Sequence, residues 1–134
     1  MNIVVDTNVV ISGVFFGGYP KKILEAVIDK KYCACVTKKI VNEYHSTVDS
    51  FIESQKRKPD NNIFSKFISN VEAVHSSSHV DICRDPDDNK FLECAIDSSA
   101  LYIVSGDKDL LTIKSFKGVQ IIKAKDFCEK YLTF

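Results

Sequence analysis

The 134-residue sequence lacks an excess of charge, long apolar runs, internal repeats and low-complexity segments. Lys plus Arg number 18, as do Asp plus Glu, so net charge argues neither for nor against a polyanionic partner. No stretch approaches the roughly 20 apolar residues of a membrane span. The first residues resemble a strand and lack the basic and apolar regions of a signal peptide. These absences predict a cytoplasmic protein with no membrane partner.

The cysteines show no regular framework of disulfides or metal ligands. Their number is odd, and they include no C-x-x-C motif. Cys33 and Cys35 would lie on one face of a strand. We therefore expect reduced cysteines in the core rather than a metal or redox site. The five are Cys33, Cys35, Cys83, Cys94 and Cys128.

Chain length and composition are those of a globular protein with one domain. The chain is 45% hydrophobic and 27% charged, which is ordinary for such proteins. At this length it buries about two-thirds of its unfolded surface, so it needs neither disulfides nor a metal to fold. The basic segment 54–62 is the one plausible linker, and the parts on either side are too short for separate domains. We predict a single domain spanning residues 1–134.

Short apolar strands alternate with amphipathic helices along the chain. Strands are predicted at 2–5, 32–36, 101–104 and 118–122, and a loop at 13–20. Helices are predicted near 20–30, over 63–71 and over 125–132. Two further helices are predicted to begin after a capping residue, one after Thr37 and the other after Asp85, with Pro86 in its first turn. This alternation predicts a three-layer α/β fold, with a central, mostly parallel sheet of four to five strands flanked by helices.

The stretch VVDTNVVIS (4–12) places three polar residues at the end of a buried strand. Burying Asp6, Thr7 and Asn8 without partners would be costly. In an open α/β sheet, ligands bind outside the carboxyl ends of the strands. The three residues therefore either complete a well-satisfied turn or hold a ligand.

Other acids are expected at the same edge of the sheet. Glu43 lies at the margin of the apolar stripe of its helix, and Asp87 and Asp88 lie in a first helical turn. Ser105, Asp107 and Asp109 follow the strand at 101–104 directly. Taken singly, each acid has an ordinary explanation as a cap, a turn residue or a solvated helix residue.

Four converging carboxylates repel one another unless a cation neutralises them. Oxygen ligands favour Mg²⁺ or Mn²⁺ over Zn²⁺. Such ions activate water and neutralise a leaving oxygen, which is the chemistry of phosphodiester hydrolysis. The acids thus jointly predict a metal-dependent hydrolase acting on phosphodiesters.

At this point the chain resembles PIN-domain proteins, especially the small prokaryotic VapC-like toxins of toxin–antitoxin systems. IVVDTNVVIS matches the opening motif of that family, and Glu43 matches its second acid. RDPDDNKFLECAIDSSALYIVSGDKDLL matches its third and fourth acidic motifs, and the resemblance covers nearly the whole chain. It implies a PIN-like fold, a metal-dependent endoribonuclease and an antitoxin partner, and it suggests a homodimer.

The resemblance also implies a role for each site residue. Asp6, Glu43, Asp88 and Asp107 would be the catalytic ligands of Mg²⁺ or Mn²⁺. Asn8 and Ser105 would support the site through hydrogen bonds, and Ser105 keeps the hydroxyl of the threonine usual at its position. Thr7 would satisfy the turn and position neighbouring carboxylates. Asp87 and Asp109 are outer candidates.

An RNA substrate needs local basic patches on a chain without net charge. Lys38, Lys39 and Lys108 lie near the predicted edge and are the preferred phosphate contacts. The run Lys56-Arg57-Lys58 is more typical of a solvated loop. The aromatic residues of the 13–20 loop (Phe15, Phe16 and Tyr19) would either stack on bases, pack in the core or form a dimer contact.

Three alternatives stay open. A phosphatase of the haloacid dehalogenase type also begins with a strand ending in Asp, but it needs a second Asp where this chain has Asn8. A non-catalytic PIN-like binding module would use the acids only structurally. A nuclease acting on DNA or on particular nucleic-acid structures would use the same metal chemistry. The three histidines do not form a ligand set.

Overall fold

A six-stranded sheet forms the centre of the fold, in the order β3-β2-β1-β4-β6-β5. The computed structural model describes residues 1–55 and 58–132. All neighbouring strands are parallel except β5 and β6, which are antiparallel. The strands are β1 (Asn2–Val5), β2 (Cys33–Val36), β3 (Glu72–Ala73), β4 (Tyr102–Val104), β5 (Ser115–Phe116) and β6 (Val119–Ile122).

Seven helices of the described residues flank this sheet. They are α1 (Thr7–Phe15), α2 (Gly18–Ile28), α3 (Lys38–Gln55), α4 (Asn61–Asn70), α5 (Asn89–Asp97), α6 (Lys108–Ile113) and α7 (Ala124–Tyr131), and a 3₁₀ turn (Pro86–Asp88) precedes α5. Helix α5 packs on β1, β2 and β4, and α2 packs on α1, α4 and α7. The predicted fold class, a mostly parallel sheet flanked by helices, is confirmed. In the part of the chain described here, no helix combines the length and apolar character of a bilayer span.

The sheet has more strands than the four to five that the sequence predicted. The additional strands β3 and β5 contain two residues each. A two-residue strand is too short to show an alternating pattern, so sequence periodicity cannot reveal it. Both lie at the edges of the sheet, and they leave the predicted central strands unchanged.

Helix α1 corrects the prediction of a turn followed by a loop at 13–20. Its residues are buried almost all round, from Thr7 to Phe15. A helix enclosed on all sides loses the polar face by which an amphipathic helix is recognised. Phe15 is buried and packs against Phe51, with ring centroids 4.5 Å apart. Base stacking by Phe15 was therefore the wrong alternative, and core packing was the correct one.

The predicted helix caps at Thr37 and Asp85 are confirmed. The Thr37 hydroxyl accepts a hydrogen bond from the backbone N–H of Ile40 (3.4 Å). The Asp85 carboxylate accepts one from the N–H of Asp87 (3.0 Å), with Pro86 in the first position of the turn. All five cysteines are free thiols. In the predicted basic loop, Lys58 is exposed, whereas Lys56 and Arg57 lie outside the described residues.

The direction of the chain connections reverses between β1 and β4, the two central strands. From β1 the chain continues to β2 on one side, and from β4 it continues to β6 on the other. The N–H of Asp6 donates to the carbonyl of Val104 (2.9 Å), which joins the two strand ends. Such a reversal opens a crevice at the carboxyl ends of the strands. The residues that follow β1 and β4 line this crevice.

A loop preceding the 3₁₀ turn is anchored to the end of α5 by Asp97. Its carboxylate accepts hydrogen bonds from the N–H groups of Ser77 (2.8 Å) and Ser78 (3.1 Å) and from both hydroxyls. Burial acts to raise the pKa of Asp97, but these hydrogen bonds lower it to about 2. The bonds therefore favour the charged carboxylate and stabilise the folded loop.

We expect Asp97→Asn to lower the melting temperature at neutral pH, because the neutral amide accepts these bonds more weakly. The folded pKa lies below the unfolded value of 3.8. The stabilisation is thus present above about pH 4 and is lost as pH falls towards about 2. Thermal unfolding of both proteins across this range checks the prediction. A difference in melting temperature that stays constant down to the lowest pH would contradict it.

Candidate functional site

Asp6 lies at the carboxyl end of β1 and is buried, with 5% of its surface exposed. The hydroxyl of Ser105 donates a hydrogen bond to its Oδ2 atom (2.6 Å). The Ser105 hydroxyl also accepts one from the backbone N–H of Asp107 (3.0 Å). Ser105 is fully buried after β4. It therefore links Asp6 to the segment that carries Asp107.

Burial raises the pKa of Asp6, and the carboxylates of Asp107 and Glu43 raise it further. The hydrogen bond from Ser105 acts in the opposite direction. In the charged form, Asp6 is thus a carboxylate in a low-dielectric site next to other negative charges. Such an environment favours either a proton or a cation at this position.

Glu43 is held at the site by Thr7, the first residue of α1. The Thr7 hydroxyl donates a hydrogen bond to Oε2 of Glu43. Next to Glu43 on α3, the fully buried Tyr44 donates its hydroxyl to the carbonyl of Val5, the residue before Asp6. These two contacts fix α3 against the end of β1. They bring Glu43 close enough to Asp6 for their charges to interact.

Asp88 ends the 3₁₀ turn before α5 and lies against Asp107. Burial and the carboxylate of Asp107 raise the pKa of Asp88 to about 7. A direct hydrogen bond between the two carboxyl groups and the charge of Asp6 contribute to this rise. Asp107 is also the N-cap of α6, since its Oδ1 accepts from the N–H of Asp109 (2.9 Å). Asp107 therefore caps helix α6 and also contributes a carboxylate to the acidic site.

Lys90 is the site residue that sequence reasoning missed. Its ammonium group lies 2.7 Å from Oε1 of Glu43 and 2.8 Å from Oδ2 of Asp87. Burial acts to lower the pKa of Lys90, but these carboxylates raise it overall, so the amine stays charged. Lys90 follows Asp87 by three residues, a spacing at which side chains on a helix meet, and this spacing could have indicated their contact from the sequence.

The remaining predicted residues lie around this centre. Asn8 is exposed beside Asp6, and a hydrogen bond from its backbone acts to lower the pKa of the Asp6 carboxyl, whereas support from its side chain stays a prediction. Asp109 faces outward, 3.8 Å from Arg84. Lys38, Lys39 and Lys108 are exposed. Lys39 is close enough to Asp87 to lower the pKa of that carboxyl, together with the stronger effect of Lys90.

We expect Ser105→Ala to impair any activity that depends on Asp6, because it removes the hydrogen bonds to Asp6 and Asp107. Loss of an orienting partner of a ligand lowers activity by about 10- to 100-fold. Ser105→Thr keeps the hydroxyl and serves as the matched control. Cleavage assays with both variants check this. Equal activity of the alanine variant and wild type would contradict it.

One other cluster offers potential metal ligands. Among residues 1–55 and 58–132, the group whose three ligand atoms all lie within 4.8 Å is Cys33, Cys35 and Glu72. Burial and the Glu72 carboxylate raise the pKa of the Cys33 thiol to about 12, and this thiol donates to Glu72 (2.9 Å). The thiols are thus protonated at neutral pH, as expected for reduced cysteines. Within the described part of the chain, no three of the four site acids place their oxygens within this distance of one another.

The sequence profile of the PIN domain matches residues 2–109, which include every acid of the site. The chain belongs to the PIN domain family. An uncharacterized protein of Methanocaldococcus jannaschii, MJ1680, is 31% identical over 120 residues, covering 85% of this chain and 76% of that protein.

The fold of this PIN domain is also found among solved structures. The crystal structure of VapBC2 from Rickettsia felis, bound to a DNA fragment from their promoter, matches 92% of this chain and 98% of the matched chain. The TM-score is 0.58 and the sequence identity is 16%. At this level of identity the similarity concerns the fold.

The donor set of the site fits a hard divalent cation. Asp6, Asp88 and Asp107 supply carboxylate oxygens only, which are the ligands that Mg²⁺ and Mn²⁺ prefer. Among the described residues, none of these three carboxylates has a lysine, arginine or histidine within salt-bridge distance. The residues present could therefore hold such an ion and would gain a counter-charge from it.

Proposed function

We propose that this PIN domain is a metal-dependent endoribonuclease that hydrolyses RNA phosphodiester bonds. The observation that carries the proposal is the meeting of Asp6, Asp88 and Asp107 in the crevice between β1 and β4. Asp6 is buried and Asp88 and Asp107 are half-buried, and their shared negative charge favours a proton or a cation at this site. Glu43 completes the acidic set from α3. Membership of the PIN domain family supports a nuclease assignment.

We assign Asp6, Glu43, Asp88 and Asp107 to the catalytic site of one Mg²⁺- or Mn²⁺-dependent domain. When bound, the ion would supply a water of lowered pKa and neutralise charge at the scissile phosphate. Ser105 orients Asp6, and Thr7 orients Glu43 through its hydroxyl. These hydrogen bonds hold the carboxylates in place before substrate arrives, which reduces reorganisation during the reaction.

RNA would reach the site along basic surface beside the acids. Lys38, Lys39 and Lys108 are exposed on the segments that follow β2 and β4. Lys39 and Lys90 line a cleft of about 390 Å³ that also includes Asp87. Lysine contacts to phosphates supply affinity without sequence specificity. A second cleft, of about 280 Å³ between α2 and α4, contains none of the site residues.

We further propose that the protein is the toxin of a toxin–antitoxin pair and acts in the cytoplasm. The VapC-like motifs and the fold shared with VapBC2 support an antitoxin partner. A homodimer is supported by large apolar side chains at the surface near α1 to α3, including Phe16 (59% exposed) and Tyr19 (38%). Apolar surface of this kind is typical of protein contacts.

The test of the proposed function is cleavage of RNA by the purified protein with Mn²⁺, with Mg²⁺ and with a chelator. We expect cleavage with at least one of the ions and none with the chelator. A parallel assay with DNA of the same sequence separates a ribonuclease from a DNA nuclease. Covalent phosphate on Asp6 after incubation with a phosphate ester would favour the phosphatase alternative. Failure to bind either ion in calorimetry would favour a non-catalytic binding module.

A further inference from the structure

We propose that Lys90 is a built-in counter-cation that neutralises the Glu43 side of the acidic site, so that a divalent cation binds only on the Asp6–Asp88–Asp107 side. This inference rests on the proposed function and deepens it. It makes Lys90 a positioning residue and Glu43 the partner of an ammonium group. Glu43 is then balanced by Lys90, whereas Asp6, Asp88 and Asp107 are balanced by the divalent cation.

The first argument is that the ammonium group of Lys90 has a partner for each of its three hydrogen-bond donors. A lysine ammonium has three hydrogen-bond donors. In this structure it contacts Oε1 of Glu43 (2.7 Å), Oδ2 of Asp87 (2.8 Å) and the backbone carbonyl of Asp87 (2.8 Å). Only 10% of the Lys90 side chain is exposed. Displacing the amine would leave the buried ammonium group and the Glu43 carboxylate, whose side chain is 26% exposed, without their charge partners, which is costly.

The second argument is that both carboxylate oxygens of Glu43 already have partners, and that one of these partners is a cation. Oε1 receives Lys90 and Oε2 receives the Thr7 hydroxyl. In contrast, no cationic side chain of the described residues forms a salt bridge with Asp6, Asp88 or Asp107. The negative charge that is not balanced by the protein is therefore concentrated on these three residues.

The third argument concerns position. The Asp87 carbonyl that receives Lys90 belongs to the peptide group preceding Asp88. Lys90 on α5 thus holds the 3₁₀ turn that carries Asp88 and, through Glu43, the helix α3. Three separate elements of the site are tied together by one cation. Its loss should therefore leave the Glu43 carboxylate without its counter-charge.

The test compares single variants of Lys90 and Glu43 with the double variant. The quantity measured is the affinity for Mn²⁺, determined by calorimetry without RNA. Lys90→Met leaves Glu43 uncompensated, so we expect Mn²⁺ to bind about tenfold more tightly, or a second ion to bind, because one more negative charge faces the cation. Glu43→Gln removes one negative charge and leaves Lys90 paired with Asp87 alone, so it should weaken binding. The double variant removes both charges and should return affinity close to the wild-type value.

A direct ligand role for Glu43 gives a different pattern. The double variant would then bind Mn²⁺ as weakly as Glu43→Gln, and this result would overturn the inference. Unchanged affinity and stoichiometry in Lys90→Met would overturn it as well, while leaving the nuclease proposal intact. Failure of the wild type to bind Mn²⁺ would overturn the nuclease proposal together with this inference.

Two controls keep the cycle interpretable. Lys125→Met removes an exposed lysine on α7, whose ion pair with Glu129 is at 4.0 Å, and should leave Mn²⁺ binding unchanged. Thermal unfolding in chelator and with Mn²⁺ reports whether each variant is folded. We expect Mn²⁺ to raise the melting temperature of Lys90→Met more than that of wild type, since ligand that binds the folded state stabilises it.

Discussion

Asp6→Asn is expected to reduce metal-dependent RNA cleavage by at least about 100-fold, because losing an orienting partner alone costs 10- to 100-fold. Asp6 is the most buried of the four acids and faces Ser105, Asp107 and Glu43. The amide oxygen of asparagine can still accept the Ser105 hydroxyl, so local structure should persist. The variant then removes one negative charge from the proposed cation site and little else.

Stability provides the control for this variant. Burial raises the pKa of Asp6, which means that its charged form is unfavourable in the folded protein. Replacement by a neutral amide should therefore keep or raise the melting temperature in chelator. Asp126→Asn, an exposed acid in the first turn of α7, should leave cleavage unchanged. Full cleavage by Asp6→Asn would remove Asp6 from the catalytic site.

Asp88 is expected to make both stability and metal affinity depend on pH. Its pKa is raised from 3.8 to about 7 in the folded protein. Between these values the folded state binds more protons than the unfolded state, so the free energy of unfolding decreases as pH rises from about 4 to about 7. A cation must displace the same proton, so Mn²⁺ affinity should rise by up to about tenfold per pH unit below about pH 7.

The comparison of wild type with Asp88→Asn isolates this effect. Thermal unfolding in chelator should show that the variant gains stability relative to wild type as pH rises, because its amide does not titrate. Calorimetry with Mn²⁺ in buffers of different ionisation enthalpy should detect proton release on binding to wild type near neutral pH. A wild type whose stability relative to the variant increases with pH would show that Asp88 carries no raised pKa.

Much of the fold could be predicted because its signals are local. The central strands are short apolar runs, and the helices α2, α3 and α7 have clear apolar stripes. The caps at Thr37 and Asp85 were also identified from residue type. Helix α1 and the two-residue strands escaped because burial on all sides, or very short length, removes the periodic pattern on which such predictions depend.

The fold class, and the expectation that acids far apart in the chain meet at one sheet edge, could both be inferred from the pattern of residues alone. Tertiary structure decided how their charges are balanced. The contact of Lys90 with Glu43 joins α5 to α3, and the contact of Ser105 with Asp6 joins residues 99 positions apart. The contact of Lys90 with Asp87 could have been inferred from their spacing of three residues, but its contact with Glu43 depends on how two separate helices pack, which no local pattern in the sequence encodes.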